Sequence, residues 1–233
     1  TDSACCQAYL SPEQLKSNWG DKYAQYSEKI SAAVKATDGE YLSYDGKPAL
    51  AAFHSSSAGV TANSGDVWVS TLPYLHSVKS PEGEGSVPNY YSVRELPAAE
   101  FQQTFLAAHP EASFAGAPET WITGRTENAS GRVETVTIGG VTVEGTEVRS
   151  LYGLRSACFT AEAAADRVTF HVTGFGHGVG MSQCGMVGYA QEQGMGYRDI
   201  LRHYYTGVSF GTVGSGSSNG GLFGWLWSLL GLQ

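Results

Sequence analysis

Two histidines stand in the stretches richest in chemically useful side chains. The first lies in Phe53-His54-Ser55-Ser56-Ser57-Ala58-Gly59-Val60-Thr61, where an imidazole ends an apolar run and three serines, a glycine and a threonine follow. If the chain stays extended, His54 and Ser56 face one way while Ser55 and Ser57 face the other. Hydroxyls and an imidazole at a strand end suit hydrogen bonding to sugar or carboxylate groups. The same residues also read as a serine-rich turn. The second stretch is Gly174-Phe175-Gly176-His177-Gly178-Val179-Gly180-Met181-Ser182-Gln183. Glycines around His177 let a ligand come close to the backbone. Ser182 can cap a following helix, whose free N–H groups would suit an anion or oxyanion. The alternative is a glycine-rich strand-to-helix turn around a packed histidine.

Other chemistries find no support. The glycine stretch fits neither a P-loop nor a dinucleotide fingerprint, and neither His-Glu-x-x-His nor Gly-x-Ser-x-Gly occurs. A metal- or serine-dependent hydrolase built on His54 and His177 would lack a visible ligand set or triad. Glu82, Glu84 and Asp66 sit in polar loops, with no apolar setting to raise a carboxyl pKa, and read as solvated charge. Cys158 and Cys184 read as small buried hydrophobes. Cys5 and Cys6 are adjacent and do not form a usual zinc pattern within this chain.

The elements that must position these residues can be read from periodicity. Lys22 to Gly39 reads as an amphipathic helix, with Tyr23, Tyr26, Ile30 and Val34 on one face. A hairpin is expected from Glu40–Tyr44 through Asp45-Gly46 into Pro48–Ser55. Residues 97–109 read as a helix, and Trp121 to Val148 as strands with a Gly139-Gly140 turn. Val168, Phe170 and Val172 alternate in a strand that leads into the glycine stretch. Helices follow over Ser182–Gln193 and Tyr197–Tyr205, the second with Tyr197, Ile200, Leu201 and Tyr204 as its core stripe. The expected fold is α+β: helices packed on a mixed, largely antiparallel sheet, with 97–158 as a smaller β-rich lobe. Residues 1–210 make the main domain, 211–221 a Gly/Ser linker and 222–233 an apolar tail.

The 233 residues carry 42% hydrophobic and only 15% charged side chains, with 30 Gly, 13 Tyr and a net charge of −8. That charge excludes a nucleic-acid binder, which would show a basic stripe. The composition suits an uncharged, aromatic-lined binding surface.

Four stretches together give the chain a family likeness. They are Ala51 to Thr61; Asp66-Val67-Trp68 through Leu72-Pro73-Tyr74-Leu75; Gly131-Arg132-Val133 with Arg149 and Leu154-Arg155-Ser156; and Gly174 to Gln183 followed by His203-Tyr204-Tyr205. In order and spacing the chain resembles the stage II sporulation protein D family, related to the amidase-enhancer proteins of bacterial cell walls. Ala58 stands where the family usually has glycine, and Cys184 where it has tyrosine.

The resemblance implies a lytic transglycosylase acting on peptidoglycan strands stripped of stem peptides during spore engulfment. In such a reaction a glutamic acid protonates the glycosidic oxygen and the C6 hydroxyl attacks C1, giving a 1,6-anhydro sugar. No stretch here matches the family's glutamate motif. The general acid is therefore expected upstream, and this chain is expected to be a fragment, inactive by itself. On the same grounds His54, Ser55, Ser57, Thr61, His177, Gly178, Ser182 and Gln183 are expected to line the glycan groove. Thr1 to Tyr9 resembles the end of a family zinc motif, with Cys6 as one ligand and the others upstream. The implied partners are glycan strands, the amidase stage II sporulation protein P and the membrane protein stage II sporulation protein M. The implied location is extracytoplasmic, at the membrane between mother cell and forespore. The alternative is a glycan-binding module or amidase activator that cleaves nothing itself.

Overall fold

A computed structural model describes residues 9–213. Its helices are α1 (Pro12–Trp19), α2 (Tyr23–Ala36), α3 (Ala98–Ala108), α4 (Gly145–Tyr152), α5 (Gln183–Glu192) and α6 (Tyr197–Tyr204). Its strands are β1 (Glu40–Tyr44), β2 (Lys47–Pro48), β3 (Phe53–His54), β4 (Tyr91–Pro97), β5 (Ile122–Glu127), β6 (Val133–Ile138), β7 (Val141–Glu144), β8 (Phe159–Ala163), β9 (Arg167–Thr173), β10 (Met181–Ser182) and β11 (Ser209–Thr212). The class is α+β, with the strands in several small, largely antiparallel sheets. The described residues divide into two units, 9–43 with 210–213, and 44–209.

In the smaller unit α1 begins at a capping box. The Ser11 hydroxyl accepts from the Gln14 N–H, and the Ser11 N–H donates to Gln14 Oε1 at 2.8 Å. Helix α2 carries the expected apolar face but buries none of its residues, and Ile30 and Val34 stay 51% and 63% exposed. Strand β11 pairs with β1 and takes in Gly211 and Thr212, two residues expected to belong to a linker. The remainder of that stretch beyond Val213, and the apolar tail, lie outside the described residues.

The larger unit is built on one aromatic core. Strand β9 pairs with β4 on one side and β8 on the other, both antiparallel. Its alternation is the expected one: Val168, Phe170 and Val172 are buried. A second antiparallel sheet, β5-β6-β7, turns at Gly139-Gly140, where both residues have positive φ as a two-residue hairpin requires. Helices α3 and α4 add Phe101, Phe105, Val148 and Tyr152 to the same core. The core draws residues from Leu96 to Val172, so β4 and the β8–β9 pair belong to the body made by the 98–152 elements.

Two expectations are corrected. Pro48–Ser55 is not one strand. Pro48 has no N–H to give, the Leu50 N–H donates to the Tyr74 hydroxyl at 2.8 Å, and β3 instead pairs with β10 in parallel. In α6, Ile200 and Tyr204 are buried but Tyr197 remains 46% exposed.

Phe101 is fully buried and stacks on Tyr152, with ring centroids 4.8 Å apart, while the Tyr152 hydroxyl donates to the Phe101 carbonyl. Phe101→Ala should lower stability by about 3–5 kcal/mol in urea unfolding. A loss below about 1 kcal/mol would contradict this packing.

Candidate functional site

The core delivers the glycine stretch to the histidine–serine stretch. Strand β9 ends at Thr173, and the next residues run along the chain from Ala52 to Ala62. Ser56 and Phe175 exchange two backbone hydrogen bonds, of 3.0 and 2.8 Å. The Ala62 N–H donates to the Gly178 carbonyl at 2.8 Å, and the Met181 N–H to the Ala52 carbonyl at 3.1 Å. Between them lies the short parallel pairing of β3 with β10, with His54 opposite Ser182. Two glycines make this approach possible. A Cβ on Gly180 would stand 2.0 Å from the Ala52 carbonyl oxygen, and one on Gly178 would stand 1.6 Å from Arg132 Nη2. Both residues also have positive φ, which side chains resist.

A carboxylate clamps the crossing. Glu82 accepts from the Ser57 N–H, the Ser57 hydroxyl and the Ser182 hydroxyl. Ser182 also caps α5, accepting from the Gly185 N–H at 3.2 Å. The place of Glu82 in a polar loop reads as solvated charge, which the structure overturns. Its partners lie 25 and 100 residues away, so nothing in the local sequence around it reveals them.

The two histidines come together here, with ring centroids 5.8 Å apart, and the Trp68 ring lies 5.3 Å from His177. The hydrogen bonds fix the proton positions. His54 Nδ1 contacts the Val179 carbonyl, which can only accept, so Nδ1 holds the proton. His54 Nε2 is then an acceptor, and it is buried without a partner. The Val179 N–H donates to His177 Nδ1 at 3.0 Å, so that nitrogen is unprotonated. Burial, with the Arg132 charge and His177 nearby, pushes His54 down to about 3. Burial and Arg149 also lower His177. Both rings are neutral near pH 7 and serve as hydrogen-bonding groups there.

The expected groove residues divide into two sets. Ser57, Thr61 and Ser182 are fully buried, and His54 is 4% exposed. The three hydroxyls bond within the chain: Thr61 Oγ1 accepts from the Val78 N–H at 2.9 Å, and Ser57 and Ser182 hold Glu82. This corrects the expectation that those three hydroxyls face a ligand, since they position the crossing instead. Gly178 is buried with its carbonyl bonded to Ala62. Ser55 and His177 are half-buried and Gln183 is exposed, so these three are reachable from solvent. Cys158 is a buried free thiol and Cys184 a half-buried one, and burial raises the pKa of both. Cys6 lies outside the described residues, among which no cluster of three or more His, Cys, Asp or Glu could hold a metal.

Removing the clamp should be costly. Glu82→Ala strands two serines and should reduce stability by roughly 2–3 kcal/mol, measured by urea unfolding; an unchanged midpoint would contradict the clamp. His54 gives a pH signature. An unfolded imidazole takes a proton near 6.5, while the folded one resists to about 3. Stability should therefore fall as pH drops through that window, with a limiting slope of about 1.4 kcal/mol per pH unit for one proton. His54→Asn should flatten the acid limb by that amount, and parallel limbs would contradict the assignment.

No protein-family model matches the chain. It is 41% identical over 214 residues to Stage II sporulation protein D of Bacillus amyloliquefaciens, covering 92% of this chain and 60% of that protein. It is 39% identical over 207 residues to Stage II sporulation protein D of Bacillus subtilis (strain 168), covering 89% and 58%. The Amidase enhancer of Bacillus subtilis (strain 168) is 26% identical over 242 residues, covering 80% of this chain and 33% of that protein. The chain thus spans 58–60% of the length of these two sporulation relatives. Over that span its sequence is similar to the stage II sporulation protein D family.

Proposed function

We propose that this chain is the glycan-holding body of a lytic transglycosylase that cuts peptidoglycan strands stripped of stem peptides during spore engulfment. The observation that carries this reading is the cleft beside His177. It has a volume of about 470 Å³, and Trp68 supplies an aromatic face for a sugar ring. Asn128, Thr135 and Thr146 supply amide and hydroxyl groups along its wall. The names of the two sporulation relatives support the biological setting.

In this reading the general acid comes from residues upstream of Thr1. Glu82, the carboxylate at the crossing, is already held by Ser57 and Ser182. The acid protonates the glycosidic oxygen, and the leaving sugar departs with that proton. The C6 hydroxyl then closes on C1 and gives up its own proton, so the product is a 1,6-anhydro ring and no water is consumed. The chain's own part is to hold and orient the strand. The same reading places the protein outside the cytoplasm, between mother cell and forespore, alongside stage II sporulation proteins P and M. Cys6 would join upstream ligands at a structural zinc.

A second reading, activation of a cell-wall amidase without glycan cleavage, is favoured by the similarity to the Amidase enhancer. One experiment separates the two. Peptide-free strands are digested with the protein extended to the length of its sporulation relatives, and the products are read by mass spectrometry. Anhydro-muramoyl ends are the expected result. Their absence, with a several-fold faster amidase when the chain is added, would replace the first reading by the second.

A further inference from the structure

Two arginines of the larger unit, Arg132 and Arg149, line one small cavity. Arg132, immediately before β6, is 3% exposed, and its Nε and Nη1 are buried with no hydrogen-bond partner. Its guanidinium is packed against Gly178, so it is held in place without being satisfied. Arg149 on α4 is half-buried and donates from Nε to the Leu154 carbonyl at 3.4 Å. The two charges are close enough for Arg132 to depress the Arg149 pKa, after burial has done so. No ion pair among the described residues includes either arginine. A buried charge without a partner is costly, and a group from outside the chain can supply one.

The space around these groups has a defined size and polarity. A cavity of about 20 Å³ is lined by Arg132, Arg149, His177, Asn128 and Asp66. One oxygen needs about 10–15 Å³ of such space. The cavity therefore admits a single oxygen, leaving the second oxygen of a carboxylate at its mouth. It shares Asp66, Asn128 and Thr146 with the 470 Å³ cleft beside Trp68. Asp66 does not fill the role of counter-ion. Its Oδ2 accepts from the side-chain amides of Asn63 and Asn128, at 2.9 and 3.3 Å, and it pairs with neither arginine. Asp66, Glu134 and Glu144 line the outer cleft. A free anion meets negative charge at that rim, whereas hydroxyl groups can donate to it. The inside is cationic and the rim is acidic, so the matching ligand carries one carboxylate on an uncharged, hydroxyl-rich frame.

We propose that Arg132, supported by Arg149, is a carboxylate site for a sugar acid. Resting on the glycan reading above, the carboxylate is the free lactyl group of a muramoyl residue whose stem peptide has been removed. With the peptide attached, that carboxyl is an amide. It then carries no charge for Arg132. The site would thus select strands already stripped of peptide.

The test is the affinity of this chain for short peptide-free muramoyl oligosaccharides, native or with their lactyl carboxyls converted to primary amides. Native oligosaccharides should bind at least tenfold tighter. Arg132→Gln should erase that preference by weakening binding of the native form. Arg149→Gln, at a half-buried position that tolerates the change more easily, should reduce the preference and keeps the proposal testable if the Arg132 variant fails to fold. Equal binding of native and amidated forms overturns the carboxylate site and leaves the glycan reading intact. Binding of neither form overturns the glycan reading, and a titration of the ¹⁵N-labelled chain with sodium D-lactate then decides the site. A saturable shift of the Arg132 Nε–Hε resonance supports a carboxylate site for another sugar acid. No shift overturns it.

Discussion

At the centre of the larger unit the backbone of 174–182 lies directly against the backbone of 52–62, with no room for side chains at Gly178 and Gly180. The other features of the cleft follow from that contact. The paired strands are only two residues long, so ladder hydrogen bonds alone give little rigidity. The structure compensates with a side-chain clamp, in which Glu82 draws Ser57 from one segment and Ser182 from the other. On one side of the crossing the chain is continuous with β9, whose apolar residues are fixed in the aromatic core. On the other it passes into α5, capped by Ser182. A sheet and a capped helix therefore hold the glycine segment at both ends, with His177 in its middle.

The electrostatics of the cleft are a consequence of the same packing. Pressing His54 and His177 into the crossing keeps both imidazoles neutral, and the arginines behind them reinforce that. The chain as a whole carries a net charge of −8, yet Arg132 and Arg149 both line the small cavity that adjoins the cleft. A neutral aromatic and amide surface, with one buried positive centre and an acidic rim, suits a carbohydrate bearing a carboxylate. Nucleic acid would instead require an exposed basic surface.

Much of this was legible in the sequence where the signal is local. The alternation of Val168, Phe170 and Val172, the Gly139-Gly140 turn and the spacing of Phe101 and Phe105 each declare an element whose burial follows its own period. The family likeness was legible too, because its motifs are short and contiguous. What could not be read were relations across the chain. Glu82 looked solvated because its serine partners are far away in sequence. Thr61 looked like a ligand contact because a hydroxyl near a histidine carries no mark of its own burial. Arg132 was visible only as part of the family likeness, since the lack of a counter-ion is a property of the folded neighbourhood. The apolar face of α2 reads as a core stripe, yet the described residues leave it uncovered.

In the proposed complex the cleft at Trp68 holds a sugar chain whose carboxylate is received by Arg132. The most direct measurement is a crystal structure of the chain with a peptide-free muramoyl disaccharide at saturating concentration. A sugar ring against Trp68 and a carboxylate oxygen about 2.7–2.9 Å from a nitrogen of Arg132 are the expected result. A disaccharide bound elsewhere on the chain, with the cleft empty, would contradict it.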